Sequence, residues 1–86
     1  MSKIIESAAE RFGLPGELAG LIKLTLTGDG HILAENHRGL LEYSDECIVL
    51  AGGRLRVRIK GQGLHLLAMD GCSMVIKGKV LGVDME

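Results

Sequence analysis

Aromatic side chains are almost missing from this 86-residue chain: Phe12 and Tyr43 are the two present, and tryptophan is absent. Exposed bases would find few platforms to stack on. The interior must be filled by Leu, Ile, Val and Ala, because 47% of the residues are hydrophobic. Proline occurs once, at Pro15, against 13 glycines. That ratio argues against a helical bundle and for short extended elements joined by tight bends, where glycine takes positive φ at least cost. No run approaches the roughly 18–20 apolar residues of a membrane span, and the first residues lack the apolar centre of a secretion signal. We therefore expect a soluble, unsecreted protein with no direct membrane insertion. Cysteine is scarce too. Cys47 and Cys72 stand far apart in apolar surroundings, without CxxC spacing, and are expected to be buried, reduced thiols.

Charge of one sign is also lacking, since the formal net charge is −1. The distribution is less even. Residues 1–46 carry four Lys or Arg against eight acids, whereas residues 47–69 hold Arg54, Arg56, Arg58 and Lys60 and no acid. A chain of this length hides only about 60% of the surface its unfolded form exposes, so it is one domain with a thin core.

What is present is a change of period. Residues 2–12 place apolar side chains at 4, 5, 8, 9 and 12, the stripe of an amphipathic helix, which Gly13 and Pro15 end. From Leu21 the period becomes two. The alternation predicts strands near 24–27, 31–35, 40–43, 47–50, 54–60, 64–69, 74–77 and 80–83, with glycine at nearly every interruption. The expected fold is mainly β: a short N-terminal helical segment (1–20), then a β domain (21–86) of seven or eight short strands in an antiparallel sheet folded on itself. A small β-roll of stacked rungs is the alternative. Leu-Thr-Gly at 26–28 and Ile-Lys-Gly at 59–61 and 76–78 form a weak repeat, read as bends or bulges in strands.

Two polar features compete for a functional role. The first is Glu35-Asn36-His37-Arg38, followed by Gly39. As chemistry it would use His37 as base, but consecutive side chains on a strand alternate faces, and no nucleophile or second histidine at metal spacing stands nearby. Asn36 and Gly39 tolerate positive φ, so the segment reads as a hairpin turn joining 31–35 to 40–44, with Arg38 near Glu35 or Glu42, or as a surface presented to another chain. The second is Arg54, Arg56, Arg58 and Lys60, two residues apart along about 20 Å of one strand face. Such a row could be a solvated face neutralised by Glu35, Glu42 or Glu46, a protein contact, or a site for nucleic acid or another anionic ligand. The dearth of aromatics disfavours nucleic acid.

The segments E-N-H-R-G-L-L-E-Y-S-D-E-C-I-V-L, G-R-L-R-V-R-I-K-G-Q-G-L and M-V-I-K-G-K-V-L-G-V resemble the YabP/YqfC family of sporulation proteins from endospore-forming bacteria, in a match over roughly residues 24–83, with N-H-R-G on the YqfC side. The resemblance implies a small cytoplasmic protein of the mother-cell compartment, without enzymatic activity and associated with a membrane protein of the YqfD type. Taken with the sequence, the expectation is a structural, non-enzymatic module with no cofactor, metal or catalytic residue. It would act by self-association into a homo-oligomer or by binding a partner protein. Its candidate contact surface is Glu35, Asn36, His37, Arg38, Arg54, Arg56, Arg58 and Lys60.

Overall fold

The computed structural model describes residues 20–86; the helix expected over residues 2–12 lies outside them. Six strands form one antiparallel sheet: β1 (Lys23–Thr27), β2 (His31–Glu35), β3 (Leu40–Tyr43), β4 (Cys47–Gly52), β5 (Leu55–Met69) and β6 (Ser73–Met85). Their order across the sheet is β1-β2-β6-β5-β4-β3. The mainly β, antiparallel architecture is thus as the alternation predicts, and stacked parallel rungs do not form.

The strand count differs for a physical reason. The expected pairs 54–60 with 64–69, and 74–77 with 80–83, are each one long strand. Glycine bends them without ending them. Register shifts interrupt the β5–β6 ladder between Lys60 and Gly61 and between Gln62 and His65. At the bend the backbones approach so closely that side chains have no room: a Cβ on Gly78 (φ 140°) would lie 2.7 Å from the Gly63 carbonyl oxygen and 2.8 Å from the Leu64 Cα, and one on Gly61 would collide with the Lys79 carbonyl. The two Ile-Lys-Gly repeats sit at these bends. In each, the isoleucine (Ile59, Ile76) is fully buried and the lysine (Lys60, Lys77) exposed.

The bends fold the sheet into two halves that share one core. One half is β1, β2, the first part of β6 and the last part of β5; the other is β3, β4, the first part of β5 and the last part of β6. Ile32, Ala34, Met74 and Ile76 from the first meet Ile48, Leu50, Val57 and Ile59 from the second, with Leu64 between them. Each fully buried Ile or Leu contributes about 1.5–3 kcal/mol. Even the edge contacts repeat: the turn before β2 accepts from β6 (Gly78 N–H to Gly30 O, Val80 N–H to Asp29 O), as the turn before β4 accepts from β5 (Gly61 N–H to Glu46 O, Leu64 N–H to Asp45 O).

Candidate interaction surface

Residues 35–39 do not form a hairpin. β2 pairs with β1 and β6, and β3 pairs with β4, so the segment crosses from one half of the sheet to the other. Asn36 takes φ 64° and Gly39 φ 141°, as their residue types suggest, but the turn serves a different end. Asn36 Nδ2 donates to the Leu21 carbonyl at 3.1 Å. The His37 N–H donates to Cys72 O at 3.1 Å, in the β5–β6 turn, and the Arg38 N–H to Ala51 O at 2.8 Å, in β4. The segment thereby ties three separate parts of the chain together.

Its side chains diverge. Glu35 ends β2 on the outer face, in register with Lys23 and Ser73. His37 is 5% exposed; its Nδ1 accepts the Gly39 N–H at 3.2 Å, which leaves the proton of the neutral ring on Nε2. That nitrogen has no hydrogen-bond partner among the described residues. Arg38 is exposed and makes no ion pair among the described residues; Glu42, expected near it, pairs elsewhere.

The basic row is shorter than its spacing suggests, because Arg54 lies in the turn before β5. Arg54 shares with Arg38 an open recess of about 440 Å3 floored by Leu21, Gly52 and Leu55. Arg56, Arg58 and Lys60 face outward on β5. Two of them are neutralised within the chain. Arg58 Nη1 lies 3.4 Å from Glu42 Oε2, its Nε lies 3.4 Å from Glu86 Oε1, and Lys60 Nζ lies 2.6 Å from Asp84 Oδ2. Arg58 also donates to Cys47 Sγ at 3.3 Å. This hydrogen bond, followed by the Glu86 charge, holds its guanidinium pKa above the usual value; Asp84 does the same for the Lys60 ammonium. Glu42 was among the acids expected to neutralise the row; Asp84 in β6 and Glu86 just beyond it, which reach the row only in the folded register, were not. Arg54 and Arg56 make no ion pair among the described residues.

Glu42, Val49 and Arg58 are in register on three adjacent strands, so the Glu42–Arg58 pair arches over Val49. That explains why a valine on the outer face is only 2% exposed. Tyr43 does not join the basic face; its hydroxyl accepts the Leu66 N–H at 3.1 Å. The cysteines depart from expectation: Cys47 is half-buried beneath Arg58, and Cys72, expected to be buried, is exposed in a turn. Asp70 organises that turn, its Oδ1 accepting the N–H groups of Cys72 and Ser73 at 2.9 and 2.8 Å. These bonds hold its carboxyl below the usual carboxylate range. Among the described residues no three His, Cys, Asp or Glu side chains come together where they could hold a metal ion, and no helix is long and apolar enough to cross a membrane.

A folded antiparallel sheet with paired charges on its outer face defines a small β module. The family model described as the YabP family matches residues 19–86, and the chain belongs to that family. Membership suggests a sporulation-related role. No curated protein and no solved structure matches the chain.

Proposed function

We propose that this chain is a non-enzymatic assembly module of spore formation, working in the mother-cell cytoplasm by association with copies of itself or with a partner such as a YqfD-like membrane protein. The observation that carries the reading is apolar exposure. Among the described residues ten large hydrophobic side chains are more than a third exposed, against nine residues in the buried core, and Leu81 with Met85 and Leu67 with Met69 lie close together along single strands. Scattered exposed apolar residues are ordinary, but groups of them on a sheet with unpaired edges mark contact surfaces. Burial of His37 and the separation of Glu35 from it speak against a reaction centre.

Binding of nucleic acid or another anion by residues 54–60 is the alternative. Pairing of Arg58 and Lys60 within the chain, and the turn of Tyr43 away from them, weigh against it. Light scattering coupled to size exclusion tests the proposal. An oligomer is expected at tens of micromolar protein; a strict monomer at the highest soluble concentration, together with salt-sensitive binding to DNA or RNA, would replace this reading with the alternative.

A further inference from the structure

Among the described residues the sheet has four free margins, and three are blunted. β1 begins at Lys23 and carries threonines, and β3 has four residues and a register shift between Leu40 and Glu42. The last part of β5 is capped by the bonds of Leu64 to Asp45 and Leu66 to Tyr43, with a further shift between Leu66 and Ala68. Lysine, shortness and bulges are the ordinary devices that keep strand edges from pairing.

On the fourth margin, β6 beyond the register shift at Leu81, residues 82–85 carry neither a lysine nor a bulge. Residues 82–85 of β6 pair with β5 in unbroken register on one side. On the other side β2 reaches only as far as Lys77, and no described residue pairs with this stretch. The direction of its free groups follows from one observed pair: Arg56 and Glu86 exchange both N–H···O bonds. In an antiparallel ladder such pairs alternate, so Asp84 and Arg58 form the next one. Val83 and Met85 then turn their N–H and C=O groups outward. Leu81 and Met85 beside them are 59% and 66% exposed.

We propose that this margin pairs with the same margin of a second copy, antiparallel, about a two-fold axis at Val83. The inference rests on the self-association proposed above and assigns it a surface. The stretch L-G-V-D-M at 81–85 is self-complementary in that register. Val83 faces Val83 as a hydrogen-bonded pair, and Leu81 lies beside Met85 of the second copy. Asp84 lies beside Gly82 of the second copy, so no two like charges stand directly opposite. Gly82 is in register with Lys60 and has no side chain to intervene, which brings Lys60 of the second copy within reach of Asp84. The charge pattern thus favours the same chain over an unrelated strand. The β3-β4-β5-β6 half becomes one half of a continuous eight-stranded sheet. A strand pair this short buries less than the roughly 1,200 Å2 of a standard interface, so the dimer is expected to form at tens of micromolar and above.

The test uses the full chain. Sedimentation velocity of the wild type over a concentration series should give a dimer, and Leu81→Lys and Met85→Lys should each weaken it at least tenfold with an unchanged far-ultraviolet circular dichroism spectrum. Val83→Cys, in a background with Cys47 and Cys72 changed to Ser, should cross-link to itself on mild oxidation, because Cα atoms of a hydrogen-bonded pair lie about 5.5 Å apart, within disulfide range. Thr25→Cys in β1 should not. A dimer that survives both lysine substitutions and cross-links through Thr25→Cys, or through neither cysteine, would overturn the assignment of the surface while leaving self-association standing. A wild type monomeric throughout would overturn both and leave the margin to a strand of another protein.

Discussion

The two halves of the folded sheet follow one backbone plan and differ on their outer faces. Where the β3-β4-β5 half sets Glu42, Val49 and Arg58 in a row, the β1-β2-β6 half sets Thr25, Leu33 and Val75. The first row closes over its central valine with an ion pair, and Val49 is 2% exposed; the second cannot, and Leu33 is 37% exposed. Both halves bury alternating aliphatic side chains inward, because the shared core demands it. Their outer faces answer to no such constraint. The difference teaches that the fold is set by the inner alternation and the glycine bends, leaving the outer positions free to carry charge in one half and apolar surface in the other.

The largest effect should come from breaking what the halves share. Gly78→Ala would place its Cβ against Gly63 and Leu64 at a backbone φ that side chains rarely adopt. Displacing packed backbone of this kind costs about 1–3 kcal/mol or more. Gly82→Ala is the control, since a Cβ there meets nothing within 4 Å. Urea unfolding should show a much lower midpoint for Gly78→Ala and a small change for Gly82→Ala; equal losses would mean that the bend is not what joins the halves.

A smaller effect should follow from making the outer faces alike. Arg58→Ala removes the arch and uncovers part of Val49, an apolar loss on the order of 1 kcal/mol, read as a urea midpoint lowered less than in Gly78→Ala. The converse is to build the arch on the other half. Thr25→Glu with Val75→Arg should cover Leu33 and couple favourably in a double-mutant cycle by about 0.2–1 kcal/mol, as exposed pairs do. Absence of coupling would show that the Val49 cover depends on more than the three positions in register.

Much of the inner pattern was legible in the sequence. The run from Arg54 to Lys60 announces its alternation, and each Ile-Lys-Gly marks a bend. What could not be read was the consequence of the bend, because a glycine that ends a strand and one that folds it look the same until the opposing backbone is known. The Asn36–Gly39 turn shows the same limit. Positive φ at both residues suits a hairpin and a crossover equally. The choice was made by Met74 and Ile76, which pair with Ala34 and Ile32 across some forty residues of chain. Of the acids that neutralise the basic strand, Glu42 lies close enough in sequence to be named, whereas Asp84 and Glu86 reach it through a long-range register. Composition carries no record of such partners.

The last contrast is between the ends of the β5–β6 ladder. In one half the two strands are joined by the turn that Asp70 organises; in the other they end on the Arg56–Glu86 backbone pair, with no covalent link. The turn should therefore depend on pH through the Asp70 carboxylate. The N–H groups of Cys72 and Ser73 hold the Asp70 carboxyl below its ordinary value of 3.8, so its contribution to stability is complete above that value and is lost as pH falls through the lower folded one. Thermal melting of the wild type and Asp70→Ala should differ most at neutral pH and converge below about pH 3.8. Neutralisation of the Glu86 carboxylate by Glu86→Gln, which leaves the backbone pair intact, should give a smaller difference at neutral pH. A gap between wild type and Asp70→Ala that stays constant through this range would mean that the carboxylate charge does not hold the turn.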